Sequence, residues 1–422
     1  MAAVFALIDA NNFYASCEQV FDPKLRGKPV IILSNNDGCV VSRSLEARKL
    51  GIKMGVPLFQ IEQIVDAHNV QVFSSNYALY GDVSHRLMAV LQEFTPEVEI
   101  YSIDEGFMNL AGVRCRSYQT LGKAIQERVY KNTCVPVTVG IGETKTLAKV
   151  ANYIAKKSER AEGVLDLVHS KFLEEALRRT PVDEIWGIGP AYSKLLKGSG
   201  INTALELRDA DLGWARKALT VVGARIVLEL RGVSCLSLEI CPRPRKSVTV
   251  SRSFPEAIET LEEIREAVAV FTSRAAEKLR RDHLASRAVT VLIETSRFAR
   301  GVEHYANAAT VEMLYPTDDT HELLQNAFYA LMKVFRPGLE YRKAGVILNG
   351  LTPAGEITGR LFDNETMEKF RRVMPVIDQL NAKYGRGTLR FVTAHPNGRW
   401  KTKAARSSPH YTTRLLDIPT LY

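Results

Sequence analysis

Two adjacent carboxylates, Asp104 and Glu105, follow a largely apolar stretch at residues 98–103. Successive side chains of a strand point to opposite faces, so both acids can serve one centre only at a strand end or a tight turn. Two ionised carboxylates this close repel each other, and a bound Mg²⁺ offsets that repulsion through oxygen ligands. The pair therefore predicts a metal-binding turn at the end of a strand. The simpler alternative is an Asp-Glu pair that only begins a turn.

A third acid, Asp9, ends the apolar run of residues 4–8. A short apolar run that stops at one polar residue is typical of a buried strand. If this strand lies beside the first, three carboxylates converge, enough to hold two Mg²⁺ ions about 3.5–4 Å apart for in-line attack at a phosphorus atom. The sequence therefore predicts phosphoryl-transfer chemistry where the two strands end.

Strand and helix patterns alternate around these acids. The predicted elements are a strand at 29–33, a helix from Ser44 to about Gly51, helices at 79–94 and 117–132, a strand at 135–141 and a helix at 145–157. This alternation favours an α/β (α+β) fold, with a mixed sheet that is covered by helices on one face.

Aromatic and basic side chains near the acids are candidates for nucleotide binding. Phe13 and Tyr14 follow Asp9 closely, and aromatic residues in such places usually belong to a core. A ring stacked under a deoxyribose would nevertheless exclude a 2′-hydroxyl by volume, so Tyr14 is a candidate for sugar discrimination. Arg48 could bind a phosphate with its fork of donors, although an exposed helical arginine is the commoner case.

The helix at 145–157 begins after Gly140-Ile-Gly142 and carries several lysines. It is not a nucleotide-binding P-loop, because no Gly-Lys-Ser/Thr tripeptide is present. Three of its lysines fall near one helical face, at intervals of four and seven residues, and one of them could reach a triphosphate. The other two are expected on a solvated face. The three are Lys145, Lys149 and Lys156.

Composition narrows the class of protein. The chain of 422 residues is long enough for three or four compact units, and its formal charge of +9 favours a polyanionic partner. Its six cysteines form no CxxC pair, the N-terminus lacks the basic region and cleavage site of a signal peptide, and no apolar run approaches the roughly 18 residues of a spanning helix. We expect a soluble, cytoplasmic protein with no membrane partner.

Residues 181–190 predict a helix-hairpin-helix, in which a helix ends before Gly187-Ile-Gly189 and another begins at Pro190. The two glycines would let backbone N–H groups approach a duplex phosphate at the positive end of the second helix. An ordinary helical turn is the alternative. The basic, proline-containing stretch that ends with Arg243, Arg245 and Lys246 reads as an extended linker.

A second module follows the linker. Its predicted elements are a strand at 248–254, a helix at 256–281, strands at 288–294 and 310–314, a helix at 319–335 and a strand at 344–348. Paired acids at a strand end are missing from this region. Its cations Arg252, Arg297 and Arg300 suit a phosphate backbone.

The pattern loosens after residue 352, where one clear helix is predicted at 364–382. Residues 383–416 contain eight Lys/Arg and no Asp or Glu. Aromatic side chains are spread among these cations, a combination found at interface hot spots, so we expect a mobile segment that docks protein partners. A disordered charged tail is the alternative. The aromatic residues are Tyr384, Phe391, Trp400 and Tyr411.

Several motifs in the right order carry a resemblance that covers nearly the whole chain. They are Asp9-x-Asn11-x-Phe13-Tyr14, Glu46-Ala47-Arg48, residues 101–105, residues 139–142 followed by Lys145 to Lys156, and the hairpin at 186–189. By these motifs the chain resembles the Y-family translesion DNA polymerases. Residues 33–38, 73–77, 145–149, 275–280 and 408–413 are similar to the UmuC-type members, the catalytic subunits of bacterial DNA polymerase V.

The resemblance implies a right-hand polymerase with a ferredoxin-like palm, small fingers, a helical thumb that carries the helix-hairpin-helix, and a C-terminal α+β little finger. The implied boundaries are palm 1–18 and 77–166, fingers 19–76, thumb 167–235, linker 236–246, little finger 247–350 and a partner-docking tail at 351–422. The implied activity is error-prone addition of deoxynucleotides to a primer 3′ end, by two-metal phosphoryl transfer, in DNA damage tolerance and SOS mutagenesis.

The same resemblance implies roles for particular residues. Mg²⁺ would be bound by Asp9, Asp104 and Glu105 together with the backbone carbonyl of Ala10. The nucleotide would contact Phe13, Tyr14, Arg48 and Lys156, with Tyr14 as the steric gate against ribonucleotides. DNA would contact Gly187, Gly189, Arg243, Arg245, Lys246 and Arg252. Implied partners are primer-template DNA, deoxynucleoside triphosphates, a UmuD-type accessory dimer and a RecA filament with ATP.

Two positions depart from the family pattern. Leu45 stands where many members place a tyrosine hydroxyl on the triphosphate, so Arg48 or Arg43 would take more of that binding. The sliding-clamp peptide of the family, Gln-Leu-x-Leu-Phe, is represented only by the degenerate residues 358–362, which puts clamp binding in doubt.

Two other classes of function remain open. A class III-type nucleotide cyclase also uses a palm-like sheet with two metal-binding aspartates, but it gives no reason for a duplex-binding hairpin or a second basic module. A DNA-binding regulatory protein could keep this fold without its chemistry. Retention of all three acids and of Tyr14 argues against that second class.

Overall fold

The computed structural model describes residues 3–241, 244–299, 303–356, 365–385, 387–394 and 398–418. Two compact units are formed. The first contains Met1–Ser34, Gly38–Pro242 and Arg406–Tyr422, and the second contains Asn35–Asp37 and Arg243–Ala405. The division after residue 242 falls within the basic, proline-containing stretch that the sequence marks as a linker.

The first unit contains strands and helices in alternation. Its strands are β1 (Phe5–Ala10), β2 (Val30–Leu33), β3 (Val40–Arg43), β4 (Gln71–Ser74), β5 (Val98–Ile100), β6 (Glu105–Asn109), β7 (Val137–Gly142) and β8 (Val164–Asp166). Its α-helices are α1 (Phe13–Phe21), α2 (Leu45–Lys49), α3 (Glu62–Ala67), α4 (Tyr77–Gln92), α5 (Tyr118–Thr133), α6 (Lys145–Lys157), α7 (Leu173–Arg179), α8 (Pro190–Gly198), α9 (Ala204–Asp209) and α10 (Leu212–Leu230).

A five-stranded sheet with the order β5-β6-β1-β7-β8 carries the acids. β1 is central and fully buried, and it pairs antiparallel with both β6 and β7. The two acid-bearing strands are therefore neighbours in the sheet. The stretch at 98–103 is not one strand, because β5 ends at Ile100 and the chain turns before β6 begins at Glu105.

Helix α6 lies unusually close to this sheet because β7 contains glycine. A Cβ placed on Gly140 would lie 2.2 Å from the backbone nitrogen of Asn152, too close for any side chain. The Gly-Ile-Gly pattern thus serves helix–strand packing rather than a phosphate loop. The Asn152 amide also donates a 2.9 Å hydrogen bond to the Thr138 carbonyl of β7, which fixes the helix over the acid-bearing strands.

The rest of the first unit forms two smaller cores. Strands β2, β3 and β4 make a three-stranded sheet in which β2 pairs parallel with β4 and antiparallel with β3. Helices α7 to α10 pack around a separate apolar cluster that includes Leu177, Leu196 and Val227. Before the hairpin glycines the prediction of a helix is wrong: α7 ends at Arg179, and only a 3₁₀ turn, Val182–Glu184, precedes them.

The second unit is an antiparallel sheet with the order β11-β10-β12-β9, covered by two long helices. Its elements are β9 (Ser247–Ile258), α11 (Leu261–Arg281), β10 (Leu284–Thr295), β11 (Ala306–Thr317), α12 (Thr320–Val334), β12 (Tyr341–Pro353) and α13 (Glu365–Tyr384). The predicted order of strand, helix, two strands, helix and strand is confirmed, although the strands are longer than predicted because their alternating pattern continues into exposed ends.

Both the helix predicted after residue 352 and part of the segment predicted to be mobile pack within the second unit. Arg280 of α11 makes a bidentate ion pair with Asp378 of α13, with nitrogen–oxygen distances of 2.6 and 2.9 Å. Trp400 is only 4% exposed and packs edge-on against Phe271 in the core of the second unit. Phe391 packs against a small neighbouring cluster. Trp400 therefore belongs to the core of the second unit, whereas Tyr384 is 64% exposed.

Trp400→Ala is expected to lower the free energy of unfolding of the second unit by about 3–5 kcal/mol, because it removes a large buried ring and leaves a cavity. Chemical denaturation followed by circular dichroism measures this change. Tyr384→Ala is the matched control, since Tyr384 belongs to the same segment and is 64% exposed. Equal unfolding free energies for the two variants would contradict the burial of Trp400.

Within the described residues, no helix is both long enough and apolar enough to span a membrane.

Candidate functional site

Asp9 and Glu105 face each other at the end of the five-stranded sheet. They are direct partners in the antiparallel register of β1 and β6. Opposite residues on neighbouring antiparallel strands have Cβ atoms about 4.5–5.5 Å apart, and like charges in such a pair are destabilising. The strand register thus places two acids side by side. Only a proton or a cation can offset the repulsion between their negative charges.

Asp104 is held beside this pair by the turn that joins β5 to β6. The Ser102 hydroxyl donates a 2.6 Å hydrogen bond to a carboxylate oxygen of Asp104 and accepts one of 3.0 Å from the Glu105 N–H. The Ala10 N–H donates to the Asp104 carbonyl at 2.9 Å. These bonds fix the backbone of Asp104 beside Ala10 at the end of β1, while the carboxyl groups that face each other are those of Asp9 and Glu105.

Each of the three lysines on the face of α6 is paired with an acid of the sheet. Lys156 lies 2.6 Å from Asp9, and Lys149 lies 2.7 Å from Glu105. Lys145, only 3% exposed, is paired with the buried Glu99 of β5. The expectation that two of these lysines are solvated is wrong, because the close approach of α6 to β7 turns this face toward the sheet.

Burial and these pairings set the protonation of the acids. Burial raises the pKa of Asp9 to about 7, although the charge of Lys156 opposes the rise. Burial also acts to raise the pKa of Glu105, but hydrogen bonds from Lys149 and Asp9 outweigh it and lower the pKa. Glu105 is therefore the stronger acid of the two, and its pKa lies below that of Asp9. A divalent cation would favour ionisation of both.

Lys149 also contacts an aromatic cluster that the sequence does not reveal. Its ammonium group lies 4.5 Å from the ring centroid of Tyr101, 5.5 Å from that of Trp186 and 5.8 Å from that of Phe107. The indole N–H of Trp186 donates a 2.9 Å hydrogen bond to the Tyr101 hydroxyl. The hairpin region is thereby joined to the turn that carries the acids. The only sign of this contact in the sequence is that Tyr101 and Trp186 both lie in motifs that resemble the family.

Tyr14 stands at the start of α1 with its ring face supported. It stacks on Tyr80 at a centroid distance of 4.4 Å and an interplanar angle of 14°, and meets Tyr77 edge-on at 6.0 Å. Burial raises the pKa of its hydroxyl, as do the nearby Tyr77 and Asp104. Tyr14 thus lies near the acids. Phe13, by contrast, is buried in the core, so only its backbone is available to a ligand.

The predicted phosphate-binding arginine lies on the small helix α2. Arg48 is exposed. Burial, and to a smaller extent the charge of Arg48, lowers the pKa of the neighbouring Arg43. Arg43 donates to the carbonyl of Ile52. Leu45, which stands where many family members have a tyrosine, is 51% exposed. Two guanidinium groups in mutual repulsion favour an anionic ligand between or beside them.

The predicted DNA contacts are distributed over both units. Gly187 has a left-handed φ of +90°, and both hairpin glycines are exposed. Arg245 and Lys246 are exposed, with Arg245 paired to Asp282 at 2.9 Å. Arg252 lies on β9 and donates to the Ser251 carbonyl. Arg243, Arg300 and the clamp-like residues 358–362 lie outside the described residues.

In the part of the chain that the structure describes, no three His, Cys, Asp or Glu side chains are close enough to form a ready-made metal site. The acids nevertheless fit a hard divalent cation, because the donors at the end of β1 and β6 are all oxygen and two of them repel each other across the sheet. Lys149 and Lys156 supply the positive charge that such a cation would bring.

Comparison with known proteins gives the family. Residues 8–153 match the impB/mucB/samB family, and residues 245–361 match its C-terminal domain. Residues 371–421 match a domain of unknown function. The chain is 45% identical to the protein UmuC of Salmonella typhimurium, over 98% of this chain and 99% of that protein. The chain belongs to the impB/mucB/samB family.

Further comparisons agree with this assignment. Protein SamB of Salmonella typhimurium is 44% identical over 99% of each chain, and DNA polymerase IV of Desulfatibacillum aliphaticivorans is 28% identical over 90% of this chain and 94% of its own. A Y-family DNA polymerase chimera has the same fold, with a TM-score of 0.64 and 22% identity over 82% of this chain and 98% of the chimera.

The resemblance stated from the motifs is therefore confirmed. This member of the impB/mucB/samB family has the right-hand fold of Y-family polymerases with a C-terminal domain. It is a DNA polymerase of the UmuC type, and its function is error-prone translesion synthesis in the context of SOS mutagenesis.

Proposed function

We propose that this polymerase adds deoxynucleotides to a primer 3′ end at the site formed by Asp9, Asp104 and Glu105. The observation that carries the proposal is the register that sets Asp9 opposite Glu105, beside the fixed Asp104. These carboxylates and the Ala10 carbonyl would hold Mg²⁺, which would lower the pKa of the attacking hydroxyl and offset charge at the phosphorus.

In this proposal the lysines of α6 have one role when the site holds no cation and another when it holds one. Without a cation, Lys156 and Lys149 neutralise Asp9 and Glu105 through contacts of 2.6 and 2.7 Å. If the acids held a divalent cation, its charge would replace that of these two lysines. Lys156 is 39% exposed at its side chain and can then turn toward the triphosphate, whereas Lys149 remains confined by its three aromatic neighbours.

The incoming nucleotide would lie between α1 and α2. Tyr14 would stand under the deoxyribose. The backbone N–H groups of Phe13 and Tyr14, which Asn12 does not cap, would face the phosphates, whereas the Ala15 N–H already donates to the Ser42 hydroxyl. Arg48, helped by Arg43, would bind the triphosphate in place of the tyrosine hydroxyl that Leu45 lacks. The sugar and the phosphates would thus be recognised by separate elements.

Primer extension tests this function against its rivals. The full chain is incubated with a primed template, Mg²⁺ and deoxynucleotides, with and without a UmuD-type dimer and a RecA filament with ATP, on undamaged and abasic templates. Extension that stops when Mg²⁺ is chelated is expected. Cyclic product from a nucleoside triphosphate without primer would indicate a cyclase, and DNA binding without extension in every mixture would indicate a regulatory protein.

Duplex DNA would be bound through phosphate contacts in this proposal. The hairpin offers Gly187 and Gly189 in the first unit, and Arg245, Lys246 and Arg252 offer positive charge in the second, with Arg243 proposed from sequence alone. We also propose the division into palm 1–18 and 77–166, fingers 19–76, thumb 167–235, linker 236–246, little finger 247–350 and tail 351–422.

Gly189→Ala is expected to weaken duplex binding about tenfold, because a Cβ would separate a phosphate from the backbone N–H groups at the start of α8. The free protein tolerates the change, since that Cβ meets nothing within 4 Å. Fluorescence anisotropy with labelled duplex measures the affinity.

The matched control is Gly198→Ala, the same change at the other end of α8, where a Cβ again meets nothing within 4 Å. Gly187→Ala is unsuitable as a test, because its φ of +90° and the Ile226 methyl at 2.9 Å predict local distortion. Equal affinities for the two suitable variants would remove Gly189 from the DNA interface.

The C-terminal segment would bind protein partners through its exposed apolar side chains. Val392, Leu415 and Leu416 are 96, 86 and 87% exposed. We propose a UmuD-type accessory dimer and a RecA filament with ATP as these partners, with the clamp-like residues 358–362 as a weaker candidate for the sliding clamp.

All six cysteines are free of disulfide bonds, which supports a cytoplasmic location.

A further inference from the structure

Residues 406–411, here called the C-terminal strap, fold back on the first unit. The Ser74 N–H donates a 3.0 Å hydrogen bond to the Arg406 carbonyl, and the Arg406 N–H donates one of 2.9 Å to the Ser74 hydroxyl. Ser407 forms a parallel bridge with Ser74. The strap is therefore held in place at the end of β4 by backbone contacts.

Ser408 is the buried centre of the strap. The amide group of Asn76 donates to the Ser408 hydroxyl at 3.0 Å and to the Pro409 carbonyl at 3.2 Å. The same Asn76 caps α4 by accepting from the Leu79 N–H. The Ser408 hydroxyl, having accepted from Asn76, donates at 3.0 Å to the carboxylate of Glu18. One hydroxyl thus joins the strap to two helices.

Glu18 accepts a second hydrogen bond, from a residue that lies beside the proposed nucleotide site. The Tyr80 hydroxyl donates to the same carboxylate oxygen at 2.7 Å. Glu18 is 1% exposed, and burial raises its pKa while these two donors oppose the rise. A buried carboxylate that loses a donor must find another partner or take up a proton. Tyr80 and Ser408 therefore hold each other in position through Glu18.

The ring of Tyr80 is the platform on which Tyr14 stacks, 4.4 Å away and tilted by 14°. A second strap residue, Tyr411, stacks on Phe21 at 5.1 Å and 7°. Phe21 is the last residue of α1, and Tyr14 lies in its first turn. The strap thus contacts both the helix that carries Tyr14 and the hydrogen-bond chain beneath its ring.

We propose that the C-terminal strap positions Tyr14 for sugar discrimination, with Ser408 acting through Glu18 and Tyr80. This inference rests on the proposed role of Tyr14 as the steric gate. Exclusion of one hydroxyl by volume depends on sub-ångström placement of the ring, and misplacement of a group by about 1 Å can change a rate about a hundredfold. Ser408 and Asn76 are positioning residues, remote from the reacting atoms.

The test compares Ser408→Ala in the full chain with the wild type, using kcat/KM for deoxycytidine and cytidine triphosphates. We expect the deoxy-to-ribo ratio to fall about tenfold. Ser408→Thr, which keeps the hydroxyl, is expected to retain the ratio. Ser234→Ala is the control, because it makes the same change at an exposed serine outside the strap. Loss of fold would lower both kcat/KM values together and leave their ratio unchanged.

A double-mutant cycle separates this inference from the role of Tyr14 itself. If the strap acts through Tyr14, Ser408→Ala changes the ratio in the wild type but not in Tyr14→Ala. A large effect of Tyr14→Ala with none from Ser408→Ala would overturn the strap and keep the gate. An unchanged ratio in Tyr14→Ala would overturn the gate, and with it the premise of the strap.

Discussion

Asp104→Asn and Glu105→Gln are each expected to lower kcat for nucleotide addition at least about a thousandfold, which corresponds to about 4 kcal/mol of transition-state stabilisation. Each change would remove a charged oxygen from the proposed metal site, where negative charge would develop on the phosphorus. Affinity for primer-template should change less than about twofold, because phosphate contacts elsewhere hold the duplex. Single-turnover incorporation and anisotropy measure the two quantities.

Glu97→Gln provides the control for these variants. Glu97 is exposed, precedes β5 and accepts a 2.7 Å hydrogen bond from Asn109, which the amide oxygen of glutamine can also accept. It therefore repeats the loss of one carboxylate charge near the same sheet without touching the proposed metal site. Incorporation at the control rate in either Asp104→Asn or Glu105→Gln would reject that residue as a metal ligand.

Tyr14→Ala is expected to reduce the ratio of kcat/KM for a deoxynucleotide over its ribonucleotide about a hundredfold, mainly by raising the ribonucleotide value. In the proposed role of Tyr14 its ring excludes the 2′-hydroxyl by volume, and alanine would remove that volume. Tyr14→Phe should keep the discrimination, since it retains the ring stacked on Tyr80 and loses only the hydroxyl. Loss of discrimination in the phenylalanine variant would instead assign the selectivity to the hydroxyl.

The acids were predictable because their signal is local. An apolar run that stops at Asp9, and the Asp104-Glu105 pair after a second run, mark the ends of strands without reference to the rest of the chain. The order of elements in the second unit was predictable for the same reason, since alternation and helical periodicity depend on burial of neighbouring residues. Strand ends were less accurate, because pairing partners extend them.

The partners of the lysines were not predictable from sequence. Periodicity places Lys145, Lys149 and Lys156 near one helical face, but an exposed and a buried face have the same spacing. The close approach of α6 over Gly140 decides that the face turns inward, toward Glu99, Glu105 and Asp9. The contact between Trp186 and Tyr101 likewise joins residues far apart in the chain.

The C-terminal region shows most clearly the difference between what the sequence predicts and what only the tertiary structure reveals. Its basic composition is typical of a tether, and composition cannot show that Trp400 fills the core of the second unit or that Ser408 hydrogen-bonds to Glu18, 390 residues away. The sequence by itself determined the family, the acids and the candidate gate, since those lie in short motifs whose chemistry is local. Only the tertiary structure decided which cation neutralises which acid and what supports the gate. Such pairings depend on strand register and helix packing, which bring distant residues together.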